Sequence, residues 1–168
     1  MNFRVRIAAI GAALALPALT ACGFTPLYAS PGVTPGLAGV EVITPDGRTG
    51  HLLSENLQDS LAIDRGKAPL YRLALAVDET RYARGLTTER LATWYELSVR
   101  VSYSLIEIST GKTLTAGMTP VSVSYDAAND PYAGIVAQQD GQKRAAAEAA
   151  QRIRIQVASY LASSSRTP

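Results

Sequence analysis

The chain has 168 residues, 16 Lys and Arg against 14 Asp and Glu, one cysteine and one histidine. That length suits a single domain. A lone Cys excludes a disulfide framework and a thiolate metal site, and a lone His excludes a multi-histidine centre.

The chain opens with Arg4 and Arg6, followed by an uncharged run over residues 7–19. The run is shorter than the roughly 20 apolar residues a bilayer span needs. A basic start, a short apolar centre and the small-residue step Leu19-Thr20-Ala21-Cys22 read as a secretory leader of the lipoprotein kind, removed before Cys22. Residues 1–21 are then the signal peptide and Cys22 the lipidation site, carrying an S-diacylglyceryl group and an N-acyl chain. Each buried CH₂ contributes about 0.8 kcal/mol, so one acyl chain holds marginally and two or more hold stably. No other cofactor is expected. Without the leader's two arginines, 14 basic residues face 14 acidic ones. A nucleic-acid partner, which requires a concentrated basic face, is not expected.

Residues 22–39 contain Pro26, Pro31, Gly32, Pro35, Gly36 and Gly39 and read as a flexible tether between lipid and domain. One domain is expected over residues 40–168. Val40, Val42 and Ile43 predict a short strand, closed by the turn signal Pro45-Asp46-Gly47. Leu53, Leu57 and Leu61 recur at four-residue steps and predict an amphipathic helix over about 49–63, bounded by Gly66 and Pro69. From residue 70 the period becomes two: Tyr71, Leu73, Leu75 and Val77 predict a half-buried strand that turns at Ala83-Arg84-Gly85. The strongest alternation is over 95–105, with Tyr95, Leu97, Val99, Val101, Tyr103 and Leu105 on one face and Glu96, Ser98, Arg100, Ser102 and Ser104 on the other. Ser109-Thr110-Gly111-Lys112 predicts a hairpin. The returning strand, about 113–125, contains Gly117 and Pro120, which predict an interruption at an edge or a bulge.

Asp130-Pro131 predicts an N-cap and first helical residue. The helix continues to about residue 162 with Ala146, Ala149, Ala150, Ile153, Val157, Tyr160 and Leu161 on its apolar side, and Gly141 as a point where it kinks or splits. The order strand, helix, three strands, helix predicts an α+β, two-layer sandwich: a four-stranded mixed sheet with both helices packed on one face. The last three strands form a meander, and the first pairs in parallel through its helical crossover.

No arrangement of residues specifies catalysis, and no enzyme activity is expected. His51, Ser54 and Glu55 are the nearest to a nucleophilic set, but they share a helix and Ser54 stands on no strand-to-helix elbow. Gly-rich phosphate loops are missing from the sequence. Arg81, Arg84 and Arg90 gather about one turn, and Arg100 projects from the polar sheet face. With Tyr82, Trp94 and Tyr95 nearby, this is the arginine and aromatic mixture that interfaces favour.

Cys22-Gly23-Phe24-Thr25-Pro26-Leu27-Tyr28 resembles the Cys-Gly-Phe-x-Pro-Leu-Tyr start of alphaproteobacterial LptE, the lipopolysaccharide (LPS)-assembly lipoprotein family. The element order is also similar to that family's small mixed sheet with two helices on one face. The resemblance implies a non-enzyme that plugs the LptD β-barrel, supports its assembly and binds LPS on the way to the outer leaflet. Gly23 stands where an Asp retains enterobacterial lipoproteins at the inner membrane, so the expected location is the outer membrane, with the domain on the periplasmic side or in the barrel lumen. The family's lipid-binding residues match no motif here. Arg84, Arg90, Arg100 and Lys112 are LPS-binding candidates on charge and expected exposure alone. Two rivals are a lipoprotein subunit of another envelope lipid-transport system and a lipid-anchored periplasmic enzyme.

Overall fold

A computed structural model describes residues 33–164 apart from residues 65, 87–91, 128 and 129. Its elements are α1 (Val33–Ala38), β1 (Val40–Ile43), α2 (Gly47–Leu61), β2 (Tyr71–Leu86), β3 (Ala92–Glu107), β4 (Thr113–Asp126) and α3 (Pro131–Ser164). The strands form one sheet in the order β1-β2-β3-β4. β1 runs parallel to β2, with Val40 opposite Tyr71, and the other pairs are antiparallel. This is the expected α+β sandwich.

The core lies where the alternating faces of the strands meet the helices. Leu73, Leu97, Val99, Val101 and Leu105 are fully enclosed from the sheet side, and Leu53, Leu57, Ile153 and Val157 from the helix side. Each such side chain contributes roughly 1.5–3 kcal/mol by leaving water. The buried alanines of α3, from Ala145 to Ala150, have no bulk to hold neighbours off, so α3 lies close on the sheet. The opposite sheet face carries Arg100, Ser102, Ser122 and Ser124, all exposed.

Four expectations are corrected. The tether does not extend to residue 39: α1 occupies Val33–Ala38, and Leu37 is buried in the core. Gly36 passes so near Leu161 that a β-carbon would lie 3.2 Å from its Cδ1. Residues 1–32, including Cys22, are outside the described residues. β2 does not turn at residues 83–85, because Arg84 stays opposite Trp94 and Leu86 opposite Ala92. Gly85 takes φ +57° inside the ladder, where a β-carbon would overlap Thr93 Oγ1 at 2.2 Å. The glycine marks a kinked strand that another side chain crosses.

β4 is unbroken from Thr113 to Asp126, and its one irregularity falls at Leu105/Ile106 of the pairing with β3. Pro120 is tolerated because β4 is an edge, where a missing N–H costs no ladder bond. α3 is likewise unbroken at Gly141. There a β-carbon would come 3.2 Å from Tyr125 Cδ1, so this glycine admits a ring. The α3 start is as expected: Asp130 Oδ1 accepts from the Tyr132 and Ala133 N–H groups at 2.7 and 3.0 Å.

Candidate functional site

Element lengths create a distinctive end of the molecule. β2 with 16 residues spans about 53 Å. α3 with 34 residues spans about 51 Å, whereas α2 with 15 spans only about 22 Å. α2 begins near the middle of β2, where Thr49 Oγ1 donates to Glu79. Gln142 of α3 donates to the other oxygen of Glu79 at 2.9 Å. At this point the helix-side residues of β2 change from Leu73, Leu75 and Val77 to Glu79, Arg81, Ala83 and Gly85. The apolar pattern stops where α2 stops covering it.

Beyond Glu79, among the described residues, only the first turns of α3 lie over the sheet. A groove of about 420 Å³ opens there, lined by Arg81, Tyr95, Tyr125, Asp126, Ile135 and Gln138 among others. The Arg81 guanidinium sits 4.8 Å from the Tyr95 ring centre and donates to Gln138 Oε1 at 3.0 Å. Tyr95 and Tyr125 are 5.6 Å apart, ring to ring. The Tyr125 hydroxyl is buried with no hydrogen-bond partner among the described residues. Around the groove Tyr82, Leu86, Trp94, Tyr132, Ile135 and Val136 are exposed. Arginine with aromatic and aliphatic surface suits an amphiphilic ligand or a protein interface.

The expected cluster of arginines is divided. Arg81 is on the helix side, whereas Arg84 is on the open face, paired through Nη2 to Glu96 Oε2 at 2.8 Å and 5.2 Å from the Tyr82 ring centre. Arg100 is opposite Asp78 and paired to it. That bond pushes the Arg100 guanidinium further above its already high range. Arg84 is six residues from the Asp78 level, about 20 Å along β2. Lys112 lies in the β3–β4 hairpin at the opposite end of the sheet. Arg84, Arg100 and Lys112 therefore form no single site, and Arg90 is outside the described residues. Trp94 stands on the open face at 36% exposure and does not cap the core.

The His51, Ser54 and Glu55 set is also separated. Ser54 points inward to Thr44 Oγ1 at 2.9 Å and accepts from Gln58. His51 stays on the exposed side, 3.3 Å from Glu55. Among the described residues no group of three or more His, Cys, Asp or Glu side chains gathers as a metal site. No described helix is long and apolar enough to cross a membrane.

Sequence reasoning missed Tyr132, Ile135 and Val136. Their signal was present: Tyr132 and Val136 precede Val157 and Leu161 by about seven helical turns and so share their side of α3. The apolar side continues after α2, its partner, has ended.

No protein-family model matches the chain, and the search of curated proteins finds no match. Solved structures do match. A lipoprotein of Caulobacter crescentus is 45% identical with a TM-score of 0.68, over 78% of this chain and 96% of that one. Lipoprotein B of Nitrosomonas europaea (14% identity, TM-score 0.56, 72% and 82% covered) and rare lipoprotein B of Shewanella oneidensis (18%, 0.50, 76% and 98%) share the fold. At 45% identity across nearly the whole of the Caulobacter protein, the chain belongs to that lipoprotein's family.

Proposed function

We propose that the chain is an outer-membrane lipoprotein of LPS transport, of the LptE kind, anchored by acyl groups on Cys22. It plugs an LptD-type β-barrel, assists its assembly and binds LPS for delivery to the outer leaflet. It catalyses no reaction. The observation that carries this is the start Cys22-Gly23-Phe24-Thr25-Pro26-Leu27-Tyr28 on a chain of a lipoprotein family.

The surface is compatible with that role. A barrel lumen is polar, and the open sheet face offers Ser98, Ser102, Ser104, Ser122 and Ser124 to it. The end formed by Arg81, Tyr82, Arg84, Trp94 and Ile135 combines cationic and apolar groups, as a phosphorylated glycolipid requires.

Co-purification from detergent-solubilised outer membranes tests the proposal. Recovery with a large β-barrel is expected; recovery with an inner-membrane transporter instead would move the chain to another lipid-transport system. LPS titration of the purified chain tests the ligand. Neutralising Arg84, Arg90, Arg100 and Lys112 together should weaken binding, and unchanged binding would remove those four residues from the LPS site.

A further inference from the structure

The two edges of the sheet are finished differently. β4 is covered by α3. Arg144 Nη2 donates to the Ser124 carbonyl at 3.2 Å, and Arg152 Nη1 to the Pro120 carbonyl at 2.7 Å. Pro120 offers no N–H to a newcomer. These are devices that stop an edge from pairing with another chain.

Among the described residues the β2 edge has no such cover. β1 pairs only with Tyr71 to Ala74, while β2 continues to Leu86. Pairing stops because Pro45 follows β1 and the chain climbs at once into α2, whose Gly50 lies against the Pro45 carbonyl so closely that a β-carbon would be 2.6 Å from its oxygen. The Tyr71 N–H donates to Gly39 O, on the β1 side of the strand. By the two-residue alternation of a strand, Leu75, Val77, Glu79, Arg81 and Ala83 aim their N–H and C=O groups the same way. The β1 ladder ends at Leu75, and no backbone hydrogen bond from another described element reaches Val77, Glu79, Arg81 or Ala83. The stretch from Val77 to Ala83 is about 20 Å long.

We propose that this open stretch of β2 receives an extended segment of a partner polypeptide, which adds to the sheet in line with β1. The inference rests on the barrel-plug reading above, and the segment belongs to that barrel protein. Main-chain bonds supply affinity in such strand addition, and flanking side chains supply selectivity. On the open face the newcomer lies beside Tyr82, which is 42% exposed, so its side chains there are apolar. On the helix side it lies beside Arg81. Arg72, Arg84 and Arg100 are each paired with a carboxylate, whereas Arg81 contacts the neutral Gln138 and Tyr95. An acidic side chain fits there, and Ala83 leaves room for its neighbour. The segment is therefore alternately apolar and acidic.

Hydrogen exchange of the lipidated full-length chain, alone in detergent and in its purified complex with the barrel, tests this. Peptides covering Val77 to Ala83 should exchange at least tenfold more slowly in the complex. Ala83→Pro removes an edge N–H but leaves the Tyr82 and Arg84 bonds to β3. It should reduce recovery of the barrel at least tenfold, while Ser122→Pro on the covered edge should not. An intact complex with unchanged exchange at these peptides would overturn the edge assignment and leave the barrel reading standing. Failure of the wild-type chain to recover any barrel would overturn both. If Ala83→Pro does not fold, the wild-type exchange measurement decides alone.

Discussion

Gly117 stands opposite Tyr103 in the β3–β4 ladder, and a β-carbon there would lie 2.7 Å from the Tyr103 hydroxyl and 2.9 Å from its ring carbons. The strand has given up a side chain so that the ring can lie across it. Gly117→Val should therefore destabilise by about 1–3 kcal/mol through overpacking, read from denaturant unfolding with an unchanged slope. Adding Tyr103→Leu should recover part of the loss, because the two sites share one space. Burial also pushes the Tyr103 phenol above its ordinary value of 10.0. A raised acid keeps its proton longer in the folded state than in the unfolded one. Its contribution is intact below pH 10 and declines as the pH rises from there towards the folded value. Phenolate absorbance should show a step above pH 10 that Tyr103→Phe deletes. The sequence signalled Gly117 and Pro120 correctly as unusual, but what they accommodate depends on β3, 14 residues earlier at Tyr103, and on which edge remains free. The cross-strand ion pair of Asp78 and Arg100 was hidden for the same reason: register brings together side chains whose separation along the chain says nothing about contact.

Helix ends show which local signals survive folding. Asp130 caps α3 as its position before Pro131 suggested, since both bonds are made within three residues. Asp130→Ala should cost about 1 kcal/mol, with faster hydrogen exchange confined to the first turns of α3. The end of α2 was less legible, because Gly66 and Pro69 drew attention past the actual stop. Ala62 adopts φ 52°, ψ 49°, with its N–H donating to Asp59 O and the Ile63 N–H to Gln58 O. This left-handed closure normally uses glycine. The left-handed state costs an L residue about 1–2 kcal/mol, and glycine returns part of that through its greater unfolded freedom. Ala62→Gly should therefore stabilise by roughly 0.5–1 kcal/mol and raise the melting temperature by a few degrees. α1 was invisible for the opposite reason: its Pro and Gly content reads as tether, whereas Gly36 lies against Leu161, far along the chain, and Leu37 is buried in the common core.

The whole molecule divides into a stabilising half and an exposed half, and the boundary is the start of α2. On one side the three-leucine stripe of α2 closes the core against α3 and the sheet, and Leu57 is fully enclosed. On the other side α3 and β2 extend beyond α2, leaving Leu86 62%, Tyr132 76% and Ile135 55% exposed. Most of the sandwich was legible because period two and period 3.6 are local patterns. The candidate site was not, because it arises from a mismatch in length between α2 and its neighbours. That mismatch separates two kinds of substitution. Leu57→Ala leaves a cavity and should cost about 2–5 kcal/mol, yet where the protein remains folded it should leave recovery of the barrel and of LPS unchanged. Replacing Leu86, Tyr132 and Ile135 together by Ser touches side chains already largely in water, where each change typically falls within about 0.5 kcal/mol. The melting temperature should scarcely move, while association with the barrel or with LPS should fall at least tenfold. If the triple variant instead associates normally, this end is ordinary solvated surface, and the binding role passes to the serine-lined open face. If it melts early, the overhanging turns of α3 are part of the folded core, and the boundary drawn at α2 is in the wrong place.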